Sequence, residues 1–224
     1  GHHVDLAYEG KSKGLLSPEL CEALTYELKD AIEWAAQWPT LGVAEDAGYT
    51  MSVGYTEGMG THHVMLNNFS MDDPGFDVDD PYFPDTRIDE VFDHERPEFL
   101  MYGGEERGSE LVGFAWFVRA PTDSPPKGFS GDNDWWHRHY SMCFRTSEFL
   151  IMGEELSDDV CEDRGGTNVN LENYWMVHAW VERPWLTFDD VFTNHHPCLH
   201  EDGPEQDPGA ECWGESTEHV GHDI

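Results

Sequence analysis

The sequence predicts an α+β protein in which two N-terminal helices pack on an antiparallel β sandwich or barrel. Three observations support this fold class. Apolar residues recur at helical spacing near the N-terminus, and short apolar runs separated by Gly, Pro and Asp clusters follow after Gly48. The chain of 224 residues also contains nine tryptophans, eight tyrosines and twelve phenylalanines, enough for a sizeable core.

The first helix is predicted to begin at Ser17, a good N-cap residue, and to end before Pro39. Its buried side is predicted from apolar residues three and four positions apart: Leu20, Leu24, Leu28, Ala31 and Ala35. A second, short helix is expected from Thr40 as far as Gly48, where glycine favours a helix end.

Six apolar runs after Gly48 are predicted to be strands. They are residues 49–55, 62–67, 98–102, 111–119, 137–144 and 174–181. The run from Leu111 to Arg119 is apolar on both faces, which predicts a central strand. The run from His137 to Phe144 is the weakest, since a short helix or a loop fits it equally well.

The domain boundaries follow from changes in composition. Residues 1–16 are expected to form an N-terminal arm, residues 17–197 a single metal-binding domain, and residues 198–224 an irregular acidic tail. Within the domain, two acidic insertions interrupt the apolar runs. Residues 72–93 are predicted to be a surface loop, and residues 147–170 a second insertion with room for a short helix.

The net charge of −34, from 46 acidic and 12 basic residues, is the strongest global signal. Self-repulsion of this size destabilises a compact state unless salt screens it, so the composition favours a halophile's protein. An acidic matrix protein or a surface rich in bound divalent cations is the alternative. Nucleic acid is excluded as a partner because it needs basic patches, and no apolar run predicts membrane insertion.

Five cysteines without a Cys-x-x-Cys pair give no support to a zinc ribbon or a dithiol redox site. Cys198 and Cys212 bracket a loop, which makes them a plausible disulfide. Asn68-Phe69-Ser70 is an acceptor sequence for N-glycosylation. Together these features favour an extracellular or cell-surface protein.

Histidines in several predicted strands suggest a metal site. His137 and His139 are two residues apart, so in a strand both would point to one face. The candidate ligands on the predicted strands are His62, His63, Glu98, His137, His139 and His178. Such a set suits one transition metal ion, with copper or zinc favoured. Each of these histidines alone is more often a hydrogen-bonded core residue, and a surface salt bridge is the simpler role for Glu98.

The chain resembles a set of uncharacterised, mostly exported microbial proteins. The shared elements are a helix that ends in Gly-Tyr and the segments Gly-Met-Gly-x-His, Pro-Glu-x-Leu-x-Tyr, Leu-Val-Gly, His-x-Trp and Asn-(x)-Pro. They occur here at residues 48–49, 58–62, 97–102, 111–113, 178–180 and 194–197, and the last departs because His195 and His196 separate Asn194 from Pro197. The resemblance implies that His62, Glu98 and His178 belong to one site, and it carries no established activity.

The expected function is therefore that of a secreted metal-binding protein of a halophile. With an open coordination position, a His/Glu site would allow Lewis-acid chemistry or oxygen activation, which makes a metal-dependent enzyme the more specific expectation. The alternative is a structural subunit that self-associates into an extracellular filament or surface assembly. No nucleophile elbow, phosphate-binding glycine loop or His-Glu-x-x-His segment points to other catalytic schemes.

Overall fold

The structure, a computed structural model, describes residues 16–131, 133–180, 191–196, 198–200 and 203–204. The predicted N-terminal arm therefore lies outside the described residues except for residue 16, and so does most of the predicted tail. Every structural statement below concerns the described residues.

Three helices and eleven strands make up the described fold. The helices are α1 (Pro18–Ala35), α2 (Leu41–Asp46) and α3 (Asp158–Asp163), with a 3₁₀ turn at Thr146–Glu148. The strands are β1 (Tyr49–Thr56), β2 (Gly60–Met65), β3 (Phe99–Tyr102), β4 (Leu111–Arg119), β5 (His137–Arg138), β6 (Ser141–Arg145), β7 (Leu150–Glu154), β8 (Thr167–Asn170), β9 (Tyr174–Trp180), β10 (Leu199–His200) and β11 (Gly203–Pro204).

Helix α1 begins as the sequence predicts. The Ser17 hydroxyl accepts a hydrogen bond from the Leu20 amide at 3.3 Å, which satisfies one amide that the first turn leaves without a helical partner. The buried side of α1 consists of Leu24, Leu28, Ala31 and Ala35. Leu20 was predicted to join them, but its side chain is exposed because it lies in the first turn, before the buried stripe begins.

The core of the protein is a six-stranded antiparallel sheet with the order β1-β2-β3-β4-β9-β5. Helices α1 and α2 pack on one face, where Leu24, Leu28 and Leu41 join Leu100 and Phe114 in one apolar cluster. The predicted α+β class with two N-terminal helices on a sheet is thus confirmed.

A second sheet, with the order β7-β6-β8, covers the other face of the main sheet. Met142 and Phe144 of β6 pack there with Met101 and Phe117 of the main sheet. The result is three layers, helices, large sheet and small sheet, so of the two predicted β architectures the structure forms the sandwich.

Alternation along β9 assigns its side chains to the two layers, because successive strand residues point to opposite faces. Met176 and Trp180 pack towards the small sheet, whereas Val177 and Ala179 pack towards the helices. His178 lies between Met176 and Trp180 in this alternation and therefore faces the small sheet.

The predicted strand from His137 to Phe144 is wrong as a single element. Residues 137 and 138 form β5 at the edge of the main sheet, and residues 141–145 form β6 in the small sheet. The chain changes sheets at Tyr140, whose carbonyl accepts a hydrogen bond from the Leu171 amide at 2.8 Å. The short β5 is therefore a point of transfer from one layer to the other.

The second acidic insertion also differs from the prediction. Residues 147–170 contain the expected short helix, α3, but they also contain β7 and β8, the two outer strands of the small sheet. A disulfide between Cys143 and Cys161 ties α3 to β6. These strands were missed because β7 is a short apolar run that does not alternate with polar residues, and because β8 contains a single apolar residue, Val169.

The first acidic insertion, residues 72–93, contains neither helix nor strand, as predicted. It is nevertheless anchored, because Phe83 and Ile88 are buried in the core beneath the small sheet. Arg119 adds an ion pair to Asp80 at 2.7 Å. This loop is therefore part of the packed domain.

The cysteines and helices bear on the expected location. Cys21 is a free thiol, and Cys198 is disulfide-bonded. Cys212, the partner that the sequence suggested for Cys198, lies outside the described residues. None of the described helices has the length and apolar character that a membrane crossing requires.

Candidate functional site

Four of the six predicted ligands meet on the face of the main sheet that the small sheet covers. The Nε2 atoms of His62 and His178 are 3.5 Å apart. The ring of His137 lies 5.0 Å from the ring of His178 and 5.0 Å from the ring of His139, measured between ring centroids. We call His62, His137, His139 and His178 the histidine cluster.

Strand register explains how the two histidines furthest apart in the sheet come together. His62 is on β2 and His178 on β9, with β3 and β4 between them. Strand β4 offers only Gly113 in the row of His62 and Ala115 directly opposite His178, whereas β3 places the larger Met101 and Phe99 in the same two rows. A Cβ on Gly113 would lie 2.7 Å from the Trp180 ring. Glycine at this position therefore allows the Trp180 ring to pack against the backbone of β4.

The two glycines before His62 hold the β1–β2 hairpin close to other backbone. Gly60 has φ +64°, and a Cβ there would collide with the Tyr102 carbonyl oxygen. Gly58 has φ +74°, donates its amide to the Leu199 carbonyl and accepts from the His196 amide, both at 2.7 Å. The hairpin that carries His62 is thereby attached both to β3 and to the segment before β10.

His178 is buried at the centre of the histidine cluster. Its pKa lies well below 6.5 because burial disfavours the charged ring, and positive charge on His137, His62 or His139 would lower it further. The imidazole is therefore neutral at neutral pH. Its buried Nδ1 atom has no hydrogen-bond partner among the residues that the structure describes.

A carboxylate orients His139. The Nδ1 atom of His139 lies 2.8 Å from Oε1 of Glu154, the last residue of β7. Since an ionised carboxylate only accepts hydrogen bonds, the Nδ1 proton is donated to it and the lone pair lies on Nε2. Carboxylates in this position fix the orientation of metal-binding imidazoles in many proteins.

Glu154 was missed by sequence reasoning. It is one of 46 acidic residues, and it lies in the segment that was predicted to be the second acidic insertion. The one signal that could have found it is the short apolar run Leu150-Ile151-Met152, which indicates a strand that ends beside it.

His63 does not join the histidine cluster. As the neighbour of His62 on β2, it points to the helix-covered face, and its ring lies 5.4 Å from that of Tyr102. Its Nε2 atom is 3.0 Å from the Thr61 hydroxyl oxygen. Burial lowers the pKa of His63 to about 4, so this imidazole is also neutral at neutral pH.

Glu98 also lies apart from the histidine cluster. Its carboxyl oxygen Oε2 accepts a hydrogen bond from the Phe117 amide at 2.9 Å, and the positive charge of Arg87 acts to lower its pKa. Arg87 stacks on Trp34 of α1 at 4.6 Å, which places this group on the helix-covered side. Burial raises the pKa of Glu98 well above 4.5. The predicted shared site of His62, Glu98 and His178 is therefore not assembled among the described residues.

A cavity of about 360 Å³ between the two sheets borders the histidine cluster. Its polar lining includes His62, His139 and Glu154. The rest is mainly apolar and includes Met59, Phe99, Phe117, Phe149, Ile151 and Met176. The volume falls within the range of about 300–1,000 Å³ that is typical of small-molecule sites.

A separate group of candidate ligands lies near the surface. Oxygen or nitrogen atoms of Asp30, His94 and Glu95 all lie within 4.8 Å of one another. The group consists of partly and fully exposed side chains from α1 and the loop before β3. Exposed acidic groups of this kind are common without any ion, so we attach no function to it.

Comparisons of the chain with protein-family models, with curated proteins and with solved structures found no match. The histidine cluster, Glu154 and the cavity beside them are therefore the features of this protein that indicate a function.

Proposed function

We propose that the protein binds one transition metal ion, zinc or copper, through the histidine cluster. The single observation that carries this proposal is the 3.5 Å separation between the Nε2 atoms of His62 and His178. Two nitrogens that each lie about 2.0–2.1 Å from a tetrahedral ion are roughly 3.3–3.4 Å apart. The pair is thus spaced almost as two ligands of one ion would be.

Hydrogen bonding alone explains this pair less well. A separation of 3.5 Å is long for a hydrogen bond between two ring nitrogens. Ligation of Nε2 by a metal ion would give a physical reason for placing imidazoles in so apolar a setting.

The cavity supports a metal-dependent enzyme as the more specific form of this proposal. His62 and His139 belong both to the histidine cluster and to the cavity lining. Among the described residues no three histidines of the cluster have ring nitrogens within 4.8 Å of one another, so a third imidazole would have to move towards an ion held by His62 and His178. An ion held in this way would keep one coordination position directed at the cavity, where it would act as a Lewis acid on a bound molecule. Glu154 would orient His139 and raise its basicity as a ligand.

We further propose that this metal-binding protein is exported and works in high salt. The net charge of −34 supports the high-salt part, because such a surface needs screening. The Cys143–Cys161 disulfide supports an oxidising compartment, and Asn68 of the glycosylation sequence is exposed.

Metal analysis tests the proposal directly. Protein purified in molar salt without added metal is titrated with Zn²⁺ and Cu²⁺, and we expect one equivalent of ion bound to the wild type. His178→Ala should abolish that binding, whereas His94→Ala, which removes the surface group, should leave it unchanged. Circular dichroism confirms that each variant is folded.

The same measurement can refute the proposal. Retention of one equivalent by His178→Ala, or its loss in His94→Ala, would place the ion elsewhere. The alternative expected from the sequence, a subunit of an extracellular assembly, stays a prediction. Size-exclusion chromatography in molar salt tests it, since a subunit of this kind should elute as large polymers.

A further inference from the structure

The cavity between the two sheets is lined mainly by apolar side chains. Five phenylalanines and four methionines border it, among them Phe99 and Phe117 of the main sheet and Met142 and Phe144 of the small sheet. Protein interiors normally pack as densely as organic crystals, and voids larger than a water molecule are few. Ordered water needs two to four polar partners, which phenylalanine and methionine do not offer. An apolar guest therefore suits this space better than water does.

The edge strands of the two sheets form the rim of the cavity. Strand β1 is an edge of the main sheet and β7 an edge of the small sheet, and both line the cavity. Residues 53–55 of β1 and 151–153 of β7 are half-buried, whereas Phe99 and Phe117 are at most 5% exposed. The pairing of each edge strand with its neighbour also shifts register, an irregularity that is over-represented at sheet edges and next to active sites. The half-buried rim places the entrance between β1 and β7.

The arrangement of rings around the cavity favours an aromatic guest. The ring centroids of Phe99 and Phe117 are 6.1 Å apart with the planes at 68°, and those of Phe83 and Phe149 are 5.7 Å apart with the planes at 79°. Rings that meet edge to face gain stabilisation beyond the area they bury, and a further ring can extend such a set. Methionine sulfur makes favourable contacts with ring edges, and its unbranched side chain adjusts to the shape of a guest.

We propose that this cavity binds an aromatic hydrocarbon of two or three rings, which enters between β1 and β7. An apolar cavity of about 150 Å³ holds one benzene molecule. The cavity here, at about 360 Å³, has more than twice that volume. The guest lies among the phenylalanines and methionines and is held by burial of apolar area and by dispersion. This inference goes beyond the proposed metal site and involves no bound ion.

The test uses the full chain in molar salt with EDTA present, so that it does not depend on the metal site. The probe is N-phenyl-1-naphthylamine, which is uncharged and fluoresces strongly in apolar surroundings, and we expect it to bind saturably. Naphthalene and its saturated counterpart, decalin, are then compared as competitors. Each affinity is divided by the partition coefficient of the compound from water into hexadecane, which removes the hydrophobic contribution. Naphthalene should keep an advantage of at least about threefold, because it adds ring pairs that decalin cannot form.

Two variants block the entrance from opposite sides. Val53→Trp adds bulk on β1 and Ile151→Trp adds it on β7, and each should abolish saturable binding of the probe. Ile32→Trp is the matched control, since this isoleucine is exposed on α1, and it should leave the affinity unchanged. Circular dichroism confirms that each variant is folded. The competition between naphthalene and decalin needs no variant, so it decides the matter even if neither entrance variant folds.

Three results would overturn this inference. They are the absence of saturable probe binding, a corrected affinity for decalin that equals or exceeds that of naphthalene, and full probe binding by a folded Val53→Trp or Ile151→Trp protein. Each of them leaves the proposed metal site standing, because EDTA keeps metal ions out of the test. Failure of the wild type to bind zinc or copper overturns the proposed function and leaves the aromatic site standing.

Discussion

Replacing Glu154 with glutamine tests whether a carboxylate orients a metal-binding imidazole. Glutamine has nearly the same shape, and its amide oxygen can still accept the hydrogen bond that Nδ1 of His139 makes at 2.8 Å. The substitution therefore removes the negative charge and keeps the position of the ring. Loss of such a partner costs about 10–100-fold in metal affinity, which corresponds to about 1.4–2.7 kcal/mol.

The assay is competition for Zn²⁺ between the protein and a chromophoric chelator in molar salt. The matched control is Glu148→Gln, which removes the same charge from an exposed residue that pairs with Arg145 at 3.1 Å. We expect Glu154→Gln to lose about 10–100-fold in affinity and Glu148→Gln to stay within about twofold of the wild type. Equal affinities in all three proteins, or equal losses in the two variants, would refute the reasoning.

Three further predictions concern stability. Because burial raises the pKa of Glu98, the native state holds a proton that the unfolded chain releases above about pH 4.5, so wild-type stability falls as pH rises through the raised pKa. Glu98→Gln should escape this fall, and urea unfolding at pH 5 and pH 9 should show its advantage growing with pH; a constant difference would contradict the assignment. The melting temperature should rise between about 0.1 M and 1 M salt, as the Debye length shortens from about 10 to 3 Å, and equal melting in both would contradict adaptation to salt. Replacing Cys143 and Cys161 together with serine should cost about 3 kcal/mol, given their separation of 18 residues, whereas unchanged denaturation midpoints would show that this crosslink does not restrict the unfolded chain.

The helices and strands whose formation depends on neighbouring residues in the sequence were predictable. Helix α1 follows from an N-cap at Ser17 and from apolar spacing, both of which are visible within a few residues. Strands β4 and β9 follow from long apolar runs that no other element explains. Alternation along β9 accounts for the burial of Val177 and Ala179 in the core that the helices cover.

Features that depend on partners distant in sequence were not predictable. The transfer of the chain from β5 to β6 depends on which sheet each short segment pairs with, and residues 137–144 contain no turn signal strong enough to show it. The role of Glu154 depends on the pairing of β7 with β6, which brings its carboxylate to His139. Glu98 appeared to be a ligand because it begins a strand, yet the direction of its side chain is set by the packing of β3 against β4.

The amino-acid sequence by itself determined the α+β class, with helices on an antiparallel sheet, and the chemical types available for a site, because periodicity and composition are properties of short segments and of the whole chain. Only the tertiary structure decided which imidazoles meet. His62 and His178 come together because the order and register of the strands place them on the same face, with the small residues Gly113 and Ala115 on β4 between them. His63, next to His62 in the chain, is excluded because adjacent residues of a strand face opposite layers.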